Sequence, residues 1–251
     1  MRDMKAIKKE FETTLGFWSA ECEQLLAAAP SYFEAYLNYA ALTYRNGILP
    51  RKVLEFIHIT VNASVTHPYS PALRVHIANA LRCGATKAEI LEVFQLVSIL
   101  GIHSMGLSMP ILLEEAKAAG QEVDLTRLNT EQMELKRQFT ETRGYWPQTW
   151  DGIVALAPDY MKAHDSLGSV AQVGGVLEPK VKQLLLIAVD ASTTHLWASG
   201  VRTHVRAALK EGASITEIVE VLKLVSTLGV QSVTFGLPIL LEEMVAADGV
   251  G

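Results

Sequence analysis

Apolar residues recur at helical spacing along nearly the whole chain, and no segment alternates apolar and polar positions for long, so the pattern predicts an all-α protein. Residues 3–15 read as an amphipathic helix. A second helical stretch stops near Ala29 and Pro30, because proline and the residue before it disfavour continued helix. A third covers 32–44, and the loop 46–50 leads into a helix starting near Lys52. Its counterpart at 184–191 is apolar on almost every side except at Asp190. Runs of this length read as buried core helices, too short to span a bilayer. The next segment carries Ser70 and Pro71, an expected N-cap and first-turn proline, and stops at Gly84. Thr86 with Glu89, and Ser214 with Glu217, spell capping boxes, which makes these glutamates structural. Gly101 and Gly229 interrupt the helices that follow, and the PILLEE blocks at 110–115 and 238–243 are expected to open the last helix of each half.

This pattern occurs twice. With a constant offset of 128 residues, His67 answers to His195, His76 to His204 and Gly84 to Gly212. Between Lys52 to Glu115 and Lys180 to Glu243 there are about 30 identities in about 64 ungapped positions, far beyond what shared helical composition produces. Upstream, the same register pairs Phe11 with Phe139, Gly16 with Gly144, Trp18 with Trp146 and Tyr32 with Tyr160. The chain therefore divides into repeat 1 (1–120), a linker (121–130) and repeat 2 (131–251), each repeat about the size of a small domain.

Composition narrows the partners. The chain is 49% hydrophobic and 20% charged, ordinary for a soluble protein. A formal charge of −5 without a long Lys/Arg cluster argues against nucleic acid. The polar N-terminal stretch has no apolar signal core, so a cytoplasmic location is expected, with no membrane partner. Cys22 and Cys83 answer to Trp150 and Glu211, so neither belongs to the repeated framework, and both read as reduced packing residues.

A buried helix, a short turn, then His204, Arg206, Ala207, Ala208, Leu209 and Gly212, followed by a capped helix with Glu217, Ile218, Glu220 and Val221, resembles the carboxymuconolactone decarboxylase family. Repeat 1 carries His76, Ala80, Leu81, Gly84, Glu89, Ile90, Glu92 and Val93 in the same order, with Ala78 in place of the arginine. The resemblance implies two tandem alkyl hydroperoxidase D-like helical repeats. That superfamily also has a thiol branch, whose Cys-x-x-Cys precedes the histidine. Here those positions hold Tyr69 and Ala72 in repeat 1 and Trp197 and Gly200 in repeat 2. A dithiol cycle needs a thiolate and a resolving thiol side by side, so the peroxidase reading is disfavoured and the decarboxylase branch fits better. Single-repeat relatives commonly assemble as six units, which for a tandem chain implies a homotrimer.

Decarboxylating a carboxylated lactone requires electrons from the breaking C–C bond to enter a conjugated carbonyl, and a proton to reach carbon. His76 and His204 are the first candidates for proton transfer, with His67 and His195 in the preceding turns. Arg74 and Arg202 are candidates to hold a substrate carboxylate, or alternatively to form interface salt bridges, and Tyr69 and Trp197 to line an apolar wall. The thiol branch uses a glutamate on the buried helix, and the register places Glu55 there, with Gln183 in repeat 2; seven residues on, the order reverses to Asn62 and Asp190. An amide takes up no proton at neutral pH, so repeat 1 is expected to do the proton transfer. His58, His103 and His164 have no histidine counterpart and rank as weaker candidates. Paired histidines nine residues apart, with no HExxH-like spacing, make a metal unexpected, and no cofactor is implied. The expected ligand is a small organic acid or lactone; the alternative is a catalytically degenerate, oligomeric binding protein.

Overall fold

The computed structural model describes residues 2–248, and among these every regular element is helical. The first repeat comprises α1 (Met4–Leu15), α2 (Ala20–Ala28), α3 (Pro30–Asn46), α4 (Arg51–Ala63), α5 (Ser70–Arg82), α6 (Lys87–Ser98) and α7 (Ile102–Ala118). The second comprises α8 (Thr130–Arg143), α9 (Asp151–Leu156), α10 (Pro158–Gln172), α11 (Pro179–Ala191), α12 (Ala198–Lys210), α13 (Ile215–Ser226) and α14 (Gln231–Asp248). Short 3-10 turns at Ile99–Gly101 and Thr227–Val230 join the last two helices of each repeat, at the glycine interruptions. A third, Gln148–Trp150, precedes α9, so that it and α9 together occupy the place of α2.

Local chemistry sets the boundaries. Asp3, Ser19 and Asn129 cap α1, α2 and α8 through their side chains, and Ser214 with Glu217 forms the expected reciprocal box on α13. Gly84 and Gly212 both take positive φ, +80° and +83°, just past the ends of α5 and α12, a conformation that a side chain would strain. Two expectations need correction. Ser70 is the first residue of α5 and caps nothing: Tyr69 stands at the N-cap, held there because its N–H donates to Asn62 O at 3.0 Å. The PILLEE blocks do not open the last helices either, since Pro110 and Pro238 lie inside α7 and α14. In α7 the upstream residues Ile102, Gly106 and Met109 are buried, and that packing outweighs the one hydrogen bond a proline cannot make.

Duplication is visible in atomic detail. Phe11 and Trp18 meet edge to face at 5.6 Å and 84°, Phe139 and Trp146 at 5.6 Å and 85°. A lysine lies over each tryptophan ring, Lys8 at 4.7 Å and Lys136 at 5.2 Å, and an acid accepts each indole N–H, Glu23 at 2.7 Å and Asp151 at 2.9 Å.

Packing, however, does not follow the repeats. The chain forms two compact units, one made of the residues through Thr86 together with those from Gln183 onward, the other of Lys87–Lys182. In the first, α4 packs on α5 and α13, and α14 of repeat 2 packs on α2 of repeat 1. Val233 and Leu237 of α14 close the core built on Phe11, Phe33 and Leu37. Helix α4 buries Val53, Leu54, Phe56, Ile57, Ile59 and Val61, each contributing about 1.5–3 kcal/mol. In the second unit, α7 of repeat 1 packs on Gln148–Trp150 and α9 of repeat 2, and Met105 and Leu113 close a core of Phe139, Trp150, Ile153 and Met161. The two repeats thus exchange their last helices. The second unit also buries an ion pair, Lys182 Nζ to Glu92 Oε1 at 2.8 Å, whose carboxylate accepts the Val176 and Leu177 N–H groups and pins the loop before α11.

By length and composition alone, the continuous helical runs Lys87–Ala118 and Ile215–Asp248 could cross a bilayer. Each reaches that length only by adding two helices across a 3-10 turn.

Candidate active site

The repeat 1 site is built where α5 lies against α4. Glu55, on α4, is fully buried, and its Oε2 lies 2.7 Å from Nδ1 of His76, on α5. Oε1 accepts from the Tyr44 hydroxyl at 3.3 Å and from Asn79 Nδ2 at 3.4 Å, with Arg51 Nε 3.9 Å away. Asn79 and Arg51 also satisfy the last carbonyls of α1, at Leu15 and Thr14, so the same side chains hold α1 in place and polarise the glutamate. His58, one turn after Glu55, stacks on His76 with ring centroids 3.8 Å apart and planes 8° from parallel.

The electrostatics follow from enclosure. Burial pushes the Glu55 carboxyl up, against the opposing influence of His58 and Arg51. It pushes the His76 imidazole down to about 3, and holds His58 well below its ordinary value, where the adjacent His76 lowers it further. Both imidazoles are therefore neutral at physiological pH. Burial drives carboxyl and imidazole alike toward their uncharged forms across the 2.7 Å contact, which favours a neutral hydrogen bond over an ion pair.

His58, His76, Tyr36 and Tyr69 face a cavity of about 100 Å³. Its other wall comes from repeat 2: Thr227 and Leu228 of the 3-10 turn, and Gln231 and Thr234 of α14. Gln231 also reaches the turn histidine, with His67 Nε2 2.5 Å from its Oε1, while its Nε2 donates to Asn62 Oδ1 at 2.9 Å.

In repeat 2 the same hydrogen bond is made with different chemistry. Nδ1 of His204, on α12, lies 2.8 Å from Oε1 of Gln183, on α11. The carboxyl group of this repeat is Asp190, with Oδ2 3.9 Å from His204 Nε2 and Oδ1 3.8 Å from His195 Nε2. Gly200 makes room for it, since a Cβ there would overlap Asp190 Oδ2. Burial drives Asp190 up to about 8 and His204 down to about 4, and lowers His195 as well. Beside this group runs an open groove of about 820 Å³ lined by Asp190, Leu196, Val201, Arg202 and Arg206.

Set against the sequence reading, Glu55 and His76 come together, His67 bonds to Gln231 of the cavity wall, and Tyr69 lines the cavity. Arg74 is not brought to this group: it sits on the exposed side of α5, two residues before the buried His76, because neighbours that close point to different helix faces. Arg202 is exposed for the same reason and borders the groove, whereas Trp197 stands at the N-cap of α12 with its ring against Gly200. Sequence reasoning missed His58 as a site residue because repeat 2 has Leu186 there; its place three residues after Glu55 was the available signal. Asn79 stands in the same relation to His76. Tyr44 and Gln231 arrive from other helices and leave no local trace.

The profile of the carboxymuconolactone decarboxylase family matches residues 30–101 and 158–240, one block in each repeat. The chain belongs to this family. A crystal structure from Burkholderia xenovorans, of a candidate gamma-carboxymuconolactone decarboxylase subunit, is similar over 98% of this chain and 99% of its own, with 35% identity and a TM-score of 0.94. No curated protein matches. Within the family, the Cys-x-x-Cys positions are occupied by non-cysteine residues in both repeats, and both cysteines of the chain are free thiols. Cys22 does line the repeat 1 cavity, but burial pushes its thiol up, away from the reactive thiolate.

Proposed function

We propose that the chain is a carboxy-lyase of the carboxymuconolactone decarboxylase type, acting on a small carboxylated lactone or related organic acid through the repeat 1 site. The observation that carries this reading is the Glu55–His76 contact of 2.7 Å on the wall of a cavity, with neutral His58 stacked behind it. In the proposed reaction the C–C bond to the substrate carboxylate breaks, its electron pair enters the conjugated carbonyl, carbon dioxide leaves, and the resulting carbanionic carbon takes a proton from the His76–Glu55 pair. Enclosure away from bulk water favours loss of a charged carboxylate as a neutral gas, and a preplaced proton donor shortens the life of the carbanion. His67 serves as an orienting group at the cavity edge. Incubation with γ-carboxymuconolactone and a panel of unsaturated lactone acids tests this, with carbon dioxide release and ultraviolet absorbance as readouts. Turnover of at least one is expected; none across the panel would overturn the assignment in favour of a binding role.

We further propose that the protein works in the cytoplasm as a homotrimer. Large apolar side chains stay exposed at matching places in both repeats: Leu107, Ile111 and Leu112 on α7, and Phe235, Ile239 and Leu240 on α14. Such duplicated stripes suit burial between subunits. Light scattering at micromolar concentration should give three chains per particle, and a monomer would contradict it.

A further inference from the structure

We infer that Gln231, supplied by repeat 2, is a positioning residue of the repeat 1 site: it fixes which nitrogen of His67 carries the proton, and it ties the 64–69 turn to α14. The inference rests on the repeat 1 site being the working one.

The argument begins at a backbone carbonyl. Asn62 Nδ2 lies 2.8 Å from His58 O, and a carbonyl oxygen can only accept, so the Asn62 amide must present its NH2 group there. Its Oδ1 then faces Gln231 and has to receive a proton, which fixes Gln231 Nε2 as the donor at 2.9 Å. With that nitrogen committed, Gln231 turns Oε1 toward His67, at 2.5 Å from Nε2. An amide oxygen accepts only, so His67 must carry N–H on Nε2, and in the neutral ring its lone pair is left on Nδ1. Orientation is thus passed from the α4 backbone through two amides to an imidazole, each step forced by the one before it.

The same bonds hold the edge of the cavity. Tyr69, which lines the cavity, has its ring 6.0 Å from that of His67, and its N–H is held by Asn62 O. Gln231 and Thr234 form part of the opposite wall, so the Gln231 amide spans from the α14 side to the turn carrying Tyr69. At the register positions of Asn62 and Gln231 the other half of the sequence has Asp190 and His103, neither of them an amide, so this relay is written only once.

The test is proton–nitrogen NMR of the chain labelled with 15N-histidine and 15N-asparagine, the His67 signals being identified by their loss in His67→Gln. The wild type should show a hydrogen-bonded imidazole N–H on His67 Nε2. That resonance should vanish in Gln231→Leu, and also in Asn62→Leu, although Asn62 makes no bond to His67. Gln231→Glu keeps an acceptor for His67 and should retain the resonance while shifting the Asn62 side-chain amide, which secures the test if the leucine variants misfold. A His67 proton on Nδ1 in the wild type, or an unchanged resonance in Asn62→Leu, would overturn the relay. On a turned-over lactone, Gln231→Leu should lower kcat/KM about tenfold, mainly through KM, as expected for losing two neutral hydrogen bonds. Absence of turnover on every lactone would sink the enzymatic reading alone, because the NMR result decides Gln231 without a substrate.

Discussion

The two histidine sites of the first compact unit have the same bond and different chemistry. His76 meets Glu55 at 2.7 Å and His204 meets Gln183 at 2.8 Å, through the same ring nitrogen and from the same pair of helix positions. Around that shared bond nearly everything has changed: Tyr44, Arg51, His58 and Asn79 of repeat 1 answer to Gln172, Pro179, Leu186 and Ala207. Repeat 2 has instead moved its carboxyl group to Asp190, on the other side of the imidazole. The histidine-to-helix hydrogen bond is common to both repeats, whereas its acceptor is a carboxyl group in repeat 1 and an amide in repeat 2. An amide acceptor takes up no proton at neutral pH, so proton transfer is proposed for the repeat with the carboxyl acceptor.

The contrast is most exposed to Glu55→Gln, which converts the repeat 1 bond into its repeat 2 form. Activity on the lactone found by screening should fall about 10²- to 10⁴-fold, the usual range for losing a general acid or base, while Gln183→Leu changes it at most a few-fold. A smaller but opposite signature is expected in stability at Asp190. Its folded pKa, about 8, lies above the ordinary value of 3.8, so between those values the native state holds a proton that the unfolded state has released. Stability from this group is present below about pH 4 and is lost as pH rises through 8. Asp190→Asn should consequently unfold at higher urea than the wild type, by a margin that grows from pH 5 to pH 8; a margin independent of pH would refute the raised pKa.

His58→Leu installs the repeat 2 residue and probes the reverse linkage. The folded pKa of His58 lies below its unfolded value, so its native form is favoured above about pH 6.5 and loses stability as the medium becomes more acidic. The variant should show a shallower loss of melting temperature between pH 6.5 and 5. The smallest expected effect is from iodoacetamide: with no thiol pair at either site and Cys22 buried, alkylation of the folded protein should leave activity unchanged. Parallel loss of activity with retained circular dichroism would contradict a thiol-independent mechanism.

Much of this was legible in the sequence, and the omissions have physical causes. The helical pattern and the 128-residue register led directly to an all-α tandem protein, because apolar spacing reports which face of a helix is buried. The same register brought Glu55 and His76 forward as a pair, and α4 and α5 place them in contact. Comparison between repeats was also the source of error. It ranks His58 low for lacking a histidine partner in repeat 2, whereas His58 stacks on His76 and lines the cavity. Gln231 was invisible for another reason: it enters the repeat 1 site because α14 packs on α2, and that helix exchange is a property of packing that no local pattern records. Arg74 lies apart from His76 because proximity in sequence does not carry across a helix to another face.

The central claim, that proton transfer belongs to repeat 1 alone, is tested most directly by measuring kcat/KM for His76→Ala and His204→Ala side by side on one turned-over lactone. The account predicts a loss of about 10²- to 10⁴-fold for His76→Ala and less than about tenfold for His204→Ala. Equal losses, or the larger loss at His204, would contradict it.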